Sequence, residues 1–143
     1  MSRAAALIVF VGAAIARLAV AQPASDDMPF ADVAARRSAD GSQLVASAVG
    51  LPDERLPMVD ARCSAARRAG ERRARGMLHT YVDEALRTGA ATPSVIAQAH
   101  QAVDAQARVT GVRGLVDCGA VVRMAMPFSG LVTAVSGAGV RFP

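Results

Sequence analysis

The stretch that decides the predicted fold is residues 59–126, which read VDARCSAARRAGERRARGMLHTYVDEALRTGAATPSVIAQAHQAVDAQARVTGVRGLVDCGAVVRMAM. Apolar and small side chains recur there at the three- and four-residue spacing of a helix face, on both sides of the break TGAATP at residues 88–93. Gly89 is a typical helix stop, and Thr92 followed by Pro93 is a typical helix start. We therefore predict two long helices joined by a short turn.

The two cysteines of the chain lie equally far from the middle of this break. Folding the stretch back on itself places Cys63 opposite Cys118, and it places Gly70 opposite Gly111. Small residues let helix axes approach closely, which helps two cysteines reach disulfide distance. The predicted fold class is therefore all-α, an antiparallel helical hairpin over residues 59–126 closed by one disulfide.

The segments on either side of the hairpin are predicted to be minor elements. Residues 22–58 form an N-terminal arm, in which residues 30–39 and 42–49 are expected to make short helices packed on the hairpin. Asp40 and Gly41 would close the first of these helices, since glycine is typical after a helix end. A loose arm is the open alternative. Residues 127–143 form a Gly-rich apolar tail.

The first 21 residues have the pattern of a secretory signal peptide. Arg3 supplies the positive start, residues 4–16 supply an apolar core, and residues 19–21 read Ala-Val-Ala, a small-x-small cleavage site. The apolar core is shorter than the roughly 20 residues that a membrane-spanning helix needs. We predict cleavage after Ala21 and no transmembrane span in the mature chain.

Composition places the mature chain in an oxidising compartment outside the cytoplasm. The sequence is rich in alanine and has arginine but no lysine, which is typical of a GC-rich bacterial genome, so the expected location is the periplasm or the medium. Two cysteines in an exported chain favour a structural disulfide over a catalytic thiol or a metal pair. Removing the signal lowers the formal net charge from +4 to +2, because two arginines leave with it.

Arginines crowd the first half of the first predicted helix. Arg68, Arg72 and Arg75 share one helix face, and only Glu71 supplies an acid among them. Such a patch attracts phosphate or carboxylate groups, so these three are candidate anion- or partner-binding residues. Export and the lack of interleaved aromatic residues argue against nucleic acid. An acidic protein, anionic lipid or envelope polysaccharide is the expected partner, and a merely solvated face is the alternative.

Two histidine–aspartate pairs are the only other chemical pattern. His79 with Asp83, and His100 with Asp104, are each one helical turn apart, a spacing that can hold a metal or a proton-sensing pair. The hairpin register puts His79 opposite Ala102, so the two histidines are not expected to converge. Because such pairs arise easily by chance, we expect ordinary solvated or hydrogen-bonded side chains, with no cofactor and no catalytic residue, and these four residues are only weak metal candidates.

These observations predict a general class of function but no specific chemistry. The chain is predicted to be an exported, non-enzymatic helical interaction protein of the bacterial periplasm or cell envelope, which docks on a protein partner or associates with itself. The alternative is a binder of anionic lipid or polysaccharide through the arginine face. A third reading is a metal-binding protein or enzyme that uses His79 and His100.

Overall fold

Strands and helices alternate along the chain. The computed structural model describes residues 28–89, 91–139 and 142. The elements in chain order are β1 (Val33–Arg37), β2 (Gln43–Gly50), α1 (Val59–Arg87), α2 (Pro93–Gln106), β3 (Arg108–Gly114), β4 (Ala120–Pro127) and α3 (Phe128–Val135), with short 3-10 turns at Val116–Cys118 and Ser136–Ala138. In these ranges, no helix is long and apolar enough to span a bilayer.

The four strands form one antiparallel sheet in the order β1-β2-β4-β3. Side chains alternate between the two faces of a strand, so Leu44, Ala46 and Ala48 of β2 share a face. Their partners on β4 are Met126, Met124 and Val122. All six side chains are fully buried. This face of the sheet therefore forms one wall of the core.

The long helix α1 supplies the opposite wall. Most of its buried residues recur every four positions. The buried residues are Ala66, Gly70, Ala74, Leu78, Val82, Ala85 and Leu86. Helix and sheet approach most closely where two glycines meet, because a Cβ on Gly50 would lie 1.8 Å from the Ala66 carbonyl oxygen and 2.4 Å from the Gly70 nitrogen. Helices α2 and α3 extend the same core beyond the end of the sheet with Val103, Leu131 and other apolar residues.

The all-α prediction is wrong, and so is the helical hairpin over residues 59–126. The second helix ends at Gln106, and residues 108–114 and 120–127 are strands. β3 reads RVTGVRG, in which β-branched residues and glycines disfavour a helix while the β-branched ones fit a pleated surface. Gly70 accordingly packs against Val122 and Ala48 of the sheet instead of against Gly111 on a second helix.

The N-terminal arm also forms strands where short helices were predicted. Residues 43–50 read QLVASAVG, and almost every side chain is small or apolar, so a two-residue period could not be recognised. Pairing with β4 decides the conformation, because it satisfies the backbone groups of the whole segment. Asp40 and Gly41 do mark a chain reversal, but it is the β1–β2 turn, in which Gly41 has a positive φ of 71°.

The predicted turn end of the hairpin is confirmed. α1 ends at Arg87, just before Gly89, and α2 begins at Pro93. The Thr92 hydroxyl accepts a hydrogen bond from the Val95 amide at 3.4 Å, as expected of an N-cap. At the other end of α1 the cap is Met58, so the helix begins at Val59.

The predicted disulfide between Cys63 and Cys118 is also present. It joins the first turns of α1 to the β3–β4 turn, and it does not join two helices. The tail after Pro127 begins with α3, whose Leu131 and Val135 are fully buried. α3 packs mainly on α2, so this part of the predicted apolar tail belongs to the core.

Candidate functional site

The sheet face that points away from α1 carries a recess. Its volume is about 670 Å³, and its lining comes from β1, β2, β3, β4 and the segment 28–30. Alternation along the strands places Val45, Ser47 and Arg123 on this face, opposite to the buried face that packs on α1. We call this recess the sheet-face cavity.

Arginines dominate the polar lining of the sheet-face cavity. Arg36 comes from β1, Arg113 from β3 and Arg123 from β4. Arg37 also borders the cavity, but its guanidinium lies 4.1 Å from the centre of the Phe128 ring. Among the described residues that line the cavity, none is Asp or Glu. The described lining therefore brings three arginine side chains, from β1, β3 and β4, to one recess.

Arg123 lies at the centre of the cavity floor. In the sheet register its direct neighbours are Ser47 on β2 and Gly111 on β3. Both neighbours are small, and Met28 packs over Gly111. Ser47 is only 3% exposed, and it is the one polar residue among the buried described residues.

The segment before β1 forms a wall of the cavity. Met28 is buried over Gly111, where a Cβ would meet its sulfur at 2.6 Å. Arg113 donates a hydrogen bond to the Met28 carbonyl, and its guanidinium lies 4.2 Å from the centre of the Phe30 ring. Such a stack is attractive and also restricts the side chain.

Asp32 anchors this wall to the sheet and to α1. One carboxylate oxygen accepts a hydrogen bond from the Val49 amide at 2.7 Å. The other lies 2.5 Å from Nη2 of Arg73, whose Nη1 donates to the Val49 carbonyl at 3.0 Å. The wall is therefore held at Met28 on one side and at Asp32 on the other.

The β1–β2 turn borders the mouth of the cavity and is held by Asp40. The carboxylate accepts hydrogen bonds from the Ser38 hydroxyl at 2.5 Å, the Ser42 amide at 3.0 Å and the Ser42 hydroxyl at 2.7 Å. These hydrogen bonds lower the pKa of Asp40 to about 2. The bond from Ser38 has the largest effect, followed by those from Ser42. The turn is thus ordered by a group that stays ionised over most of the pH range.

The three arginines that were predicted to form a binding face all lie on α1, but their surroundings differ. Arg68 and Arg72 are exposed on α1. Arg75 is half-buried and lies 3.5 Å from a Glu71 oxygen and 3.8 Å from an Asp104 oxygen. A binding role for Arg68 and Arg72 stays a prediction, while the position of Arg75 is explained by its ion pairs.

The two histidines converge, contrary to expectation. Their rings stack with centroids 4.5 Å apart. The carboxylate partners are crossed between the helices, since His79 Nε2 lies 3.0 Å from Asp104 and His100 Nε2 lies 2.8 Å from Asp83. The predicted register missed this contact because an offset of two helical residues is only about 3 Å along the axis, which an imidazole side chain easily spans.

This histidine cluster connects α1 to α2. Across residues 28–89, 91–139 and 142, no three His, Cys, Asp or Glu side chains are arranged to hold a metal ion. Each ring nitrogen named above is engaged by a carboxylate of the facing helix. The cluster is therefore a contact between the helices, on the opposite side of the sheet from the cavity.

A third feature is an apolar cluster at the disulfide end. Leu51, Met58, Val59 and Val116 are each more than 60% exposed. Val59 is next to the disulfide, because its carbonyl lies 3.7 Å from Cys118 Sγ, and Val116 precedes Cys118 by two residues. These side chains leave apolar surface in contact with water.

Sequence patterns did not reveal Arg36, Arg113 and Arg123. Arg36 lies far from Arg113 and Arg123 in the chain, and the three come to one face only through the strand order β1-β2-β4-β3. Once the strands are known, their two-residue alternation places them on the cavity face. Comparison of this chain with protein-family models, curated proteins and solved structures finds no match.

Proposed function

We propose that this chain is an exported, non-enzymatic binding protein that holds an anionic ligand in the sheet-face cavity. The observation that carries this proposal is that Arg36, Arg113 and Arg123, from three different strands, line one cavity. Arginine suits such a site because its planar group binds carboxylate and phosphate oxygens in pairs.

Binding is favoured over catalysis by the chemistry of the lining. Its described residues include Ser38 and Ser47 but no His, Asp or Glu that could act as the general base to activate a hydroxyl nucleophile. The volume of about 670 Å³ lies within the range of small-molecule sites. The lining is also partly apolar, through Met28, Phe30 and Val33, as ligand-binding pockets usually are.

Export is part of the proposal. The predicted signal peptide, residues 1–21, lies outside the described residues. The disulfide between Cys63 and Cys118 supports an oxidising compartment such as the periplasm, because thiols are kept reduced in the cytosol.

The test compares two double variants that remove the same charge. Arg36→Gln with Arg123→Gln changes the cavity, whereas Arg68→Gln with Arg72→Gln changes only exposed positions on α1. Titration calorimetry at low salt uses 1-anilinonaphthalene-8-sulfonate, an anion with an apolar body. Losing a charge-assisted contact costs about 1.5–3 kcal/mol, so the cavity variant should bind at least about tenfold more weakly than wild type.

The α1 variant serves as the matched control and should keep the wild-type affinity within about twofold, because its arginines are remote from the cavity. Equal binding by wild type and the cavity variant would refute the proposal. A loss confined to the α1 variant would instead support the arginine face that the sequence predicted.

Protein docking is a second candidate function, favoured by the apolar cluster at the disulfide end. Leu51 and Val116 are 68% and 88% exposed. If this cluster pairs two copies of the chain, Leu51→Ser with Val116→Ser should lower the association constant measured by sedimentation equilibrium. A wild-type chain that stays monomeric up to high concentration would contradict self-association.

A further inference from the structure

We propose that the disulfide between Cys63 and Cys118 is a thiol-exchange site, which a dithiol opens in the folded protein. The bond lies where α1 meets the β3–β4 turn, and neither cysteine is fully buried. Neither cysteine lines the sheet-face cavity. Three features of the bond point to exchange: the backbone conformation of Cys118, the exposure of the turn and the position of the bond outside the core.

Cys118 has a backbone conformation that favours glycine. Asp117 and Cys118 have φ angles of 60° and 66°, and in the part of the chain that the structure describes they are the only residues other than glycine with positive φ. Two successive residues with positive φ are typical of a type I′ turn, in which glycine normally takes the second place. Here the glycine comes one residue later, and Gly119 has an ordinary φ of −60°. Cys118 is therefore strained where glycine would not be.

The disulfide explains how this conformation persists. Within the turn, the Leu115 amide donates to the Gly119 carbonyl at 2.7 Å, and the Gly119 amide donates to the Val116 carbonyl at 3.4 Å. The covalent bond adds a tie from Cys118 to α1. A strained residue persists only where its surroundings hold it. Opening the disulfide should therefore let the turn relax, and this relaxation favours the dithiol form.

The turn is open to a reagent from solvent, and the core does not include the bond. Val116 is 88% exposed, Asp117 is exposed and Cys118 is half-buried. The described core cluster is built from residues of the sheet and helices such as Leu78 and Met124, and it contains neither cysteine. The core contacts are therefore kept when the bond opens. Strained or exposed disulfides are the ones that exchange readily.

The exchange transfers two electrons from the dithiol to the protein disulfide. A thiolate of the dithiol attacks Sγ of Cys118, which forms a mixed disulfide and breaks the bond to Cys63. Cys63 leaves as a thiolate and takes up a proton. The second thiol of the reductant loses its proton and attacks its partner sulfur in the mixed disulfide. Cys118 then leaves as a thiolate and is protonated, and the reductant becomes a cyclic disulfide.

The charges along the chain favour Cys63 as the first leaving group. Cys63 lies in the second turn of α1, and Arg67 follows it by four residues, which places the two on one helix face. A nearby cation and the amino end of a helix both stabilise a thiolate. Cys118 instead follows the carboxylate of Asp117 directly. A thiolate is therefore better stabilised at Cys63 than at Cys118.

The first test measures the exchange in the folded protein. The oxidised protein is equilibrated at pH 7 with mixtures of reduced and oxidised dithiothreitol, without denaturant, and the two forms are quantified by alkylation and mass spectrometry. The bond should open with the far-ultraviolet circular dichroism unchanged, at a rate that low urea concentrations do not raise. A bond that opens only as urea unfolds the chain, or a dithiol form that has lost its circular dichroism signal, would overturn the proposal.

The second test changes the strain in the turn without changing either cysteine. Alanine disfavours a positive φ and glycine accepts it, so Asp117→Ala and Asp117→Gly strain the turn differently. Compared with Asp117→Gly, Asp117→Ala should shift the exchange equilibrium towards the dithiol by at least about fivefold, the factor expected for one left-handed residue. Asp117→Asn is the matched control, because it removes the charge but tolerates positive φ as aspartate does. Its equilibrium should stay within about twofold of wild type.

Equal exchange equilibria for Asp117→Ala and Asp117→Gly would show that the turn does not relax when the bond opens, and the proposal would fail. A fivefold shift in Asp117→Asn would assign the effect to charge and would also refute the role of strain. The order of attack is tested with glutathione, a monothiol that leaves the mixed disulfide in place. Peptide mapping should recover glutathione on Cys118, and recovery mainly on Cys63 would overturn the assigned leaving group. These measurements need no ligand in the sheet-face cavity, so their outcome is separate from that of the proposed function.

Discussion

Two glycines of α1 provide a direct test of how the helix lies on the sheet. Gly70 and Gly76 are both inside the helix, so alanine at either position raises helix propensity by the same amount, about 1 kcal/mol. Their surroundings differ. A Cβ on Gly76 would meet nothing within 4 Å, whereas a Cβ on Gly70 would lie 2.8 Å from Val122 Cγ2 and 3.2 Å from the Ala48 carbonyl oxygen.

The expected effects therefore have opposite signs. Gly76→Ala should stabilise the protein by about 1 kcal/mol, because only the propensity changes. Gly70→Ala gains the same propensity but overpacks the helix–sheet contact, which costs about 1–3 kcal/mol, so this variant should be less stable than Gly76→Ala by that amount. Gly50→Ala should cost at least about 3 kcal/mol, because its Cβ would lie 1.8 Å from the backbone oxygen of Ala66.

Urea unfolding followed by far-ultraviolet circular dichroism measures all three variants under identical conditions. The slope of the unfolding free energy against urea concentration should be the same for all variants, so that differences between their midpoints report differences in stability. If Gly70→Ala is as stable as Gly76→Ala, α1 does not pack against Val122 as described, and the helix–sheet geometry is refuted. If Gly50→Ala is tolerated, the contact between the two glycines is absent in solution.

Two further changes test the disulfide and the β1–β2 turn. Replacing Cys63 and Cys118 by serine reopens a loop whose ends are 55 residues apart. In the chain-entropy model this should lower the unfolding free energy by about 4 kcal/mol. A loss of less than about 1 kcal/mol, measured by urea unfolding, would contradict this prediction. Because the pKa of Asp40 is lowered from 3.8 to about 2, its ionised form stabilises the native chain above about pH 4, and this contribution is lost as the pH falls towards 2. The stability difference between wild type and Asp40→Asn should therefore be constant near neutral pH and shrink between pH 4 and pH 2; a difference that persists at pH 2 would show that the carboxylate charge is not its cause.

α1 and the start of α2 could be predicted because their signals are local. α1 keeps a four-residue spacing of buried positions from Ala66 to Val82, and the turn has Gly89 and a Thr92 cap. The strands could not be predicted, because their side chains do not alternate clearly between apolar and polar. In β2 the inward Ala46 and the outward Val45 are both apolar, so hydrophobicity alone does not alternate, and only pairing with β4 distinguishes the two faces.

The candidate site was missed for the same reason. A cluster such as Arg68 and Arg72 is visible in a sequence because its members are close in the chain, yet the structure leaves those two side chains in solvent. Arg36 and Arg123 are far apart in the chain, and only two strand pairings bring them to one face. Charge clusters along a chain therefore predict helix surfaces better than they predict cavities over a sheet.

The disulfide was predicted correctly although the fold around it was not, and chain geometry explains why. α1 has 29 residues and is therefore about 43 Å long at 1.5 Å per residue. The return path combines 14 residues of α2, about 21 Å, with 7 residues of β3, about 23 Å at 3.3 Å per residue. The two lengths match, so the helix followed by the strand brings Cys118 back to the first turns of α1, where Cys63 lies. A continuous helix would do the same by residue count, because Cys63 and Cys118 are each 25 residues from an end of the break at residues 88–93. Residue spacing could thus identify the partner cysteine but not the conformation between them, which depends on β-branched residues and on pairing with β4.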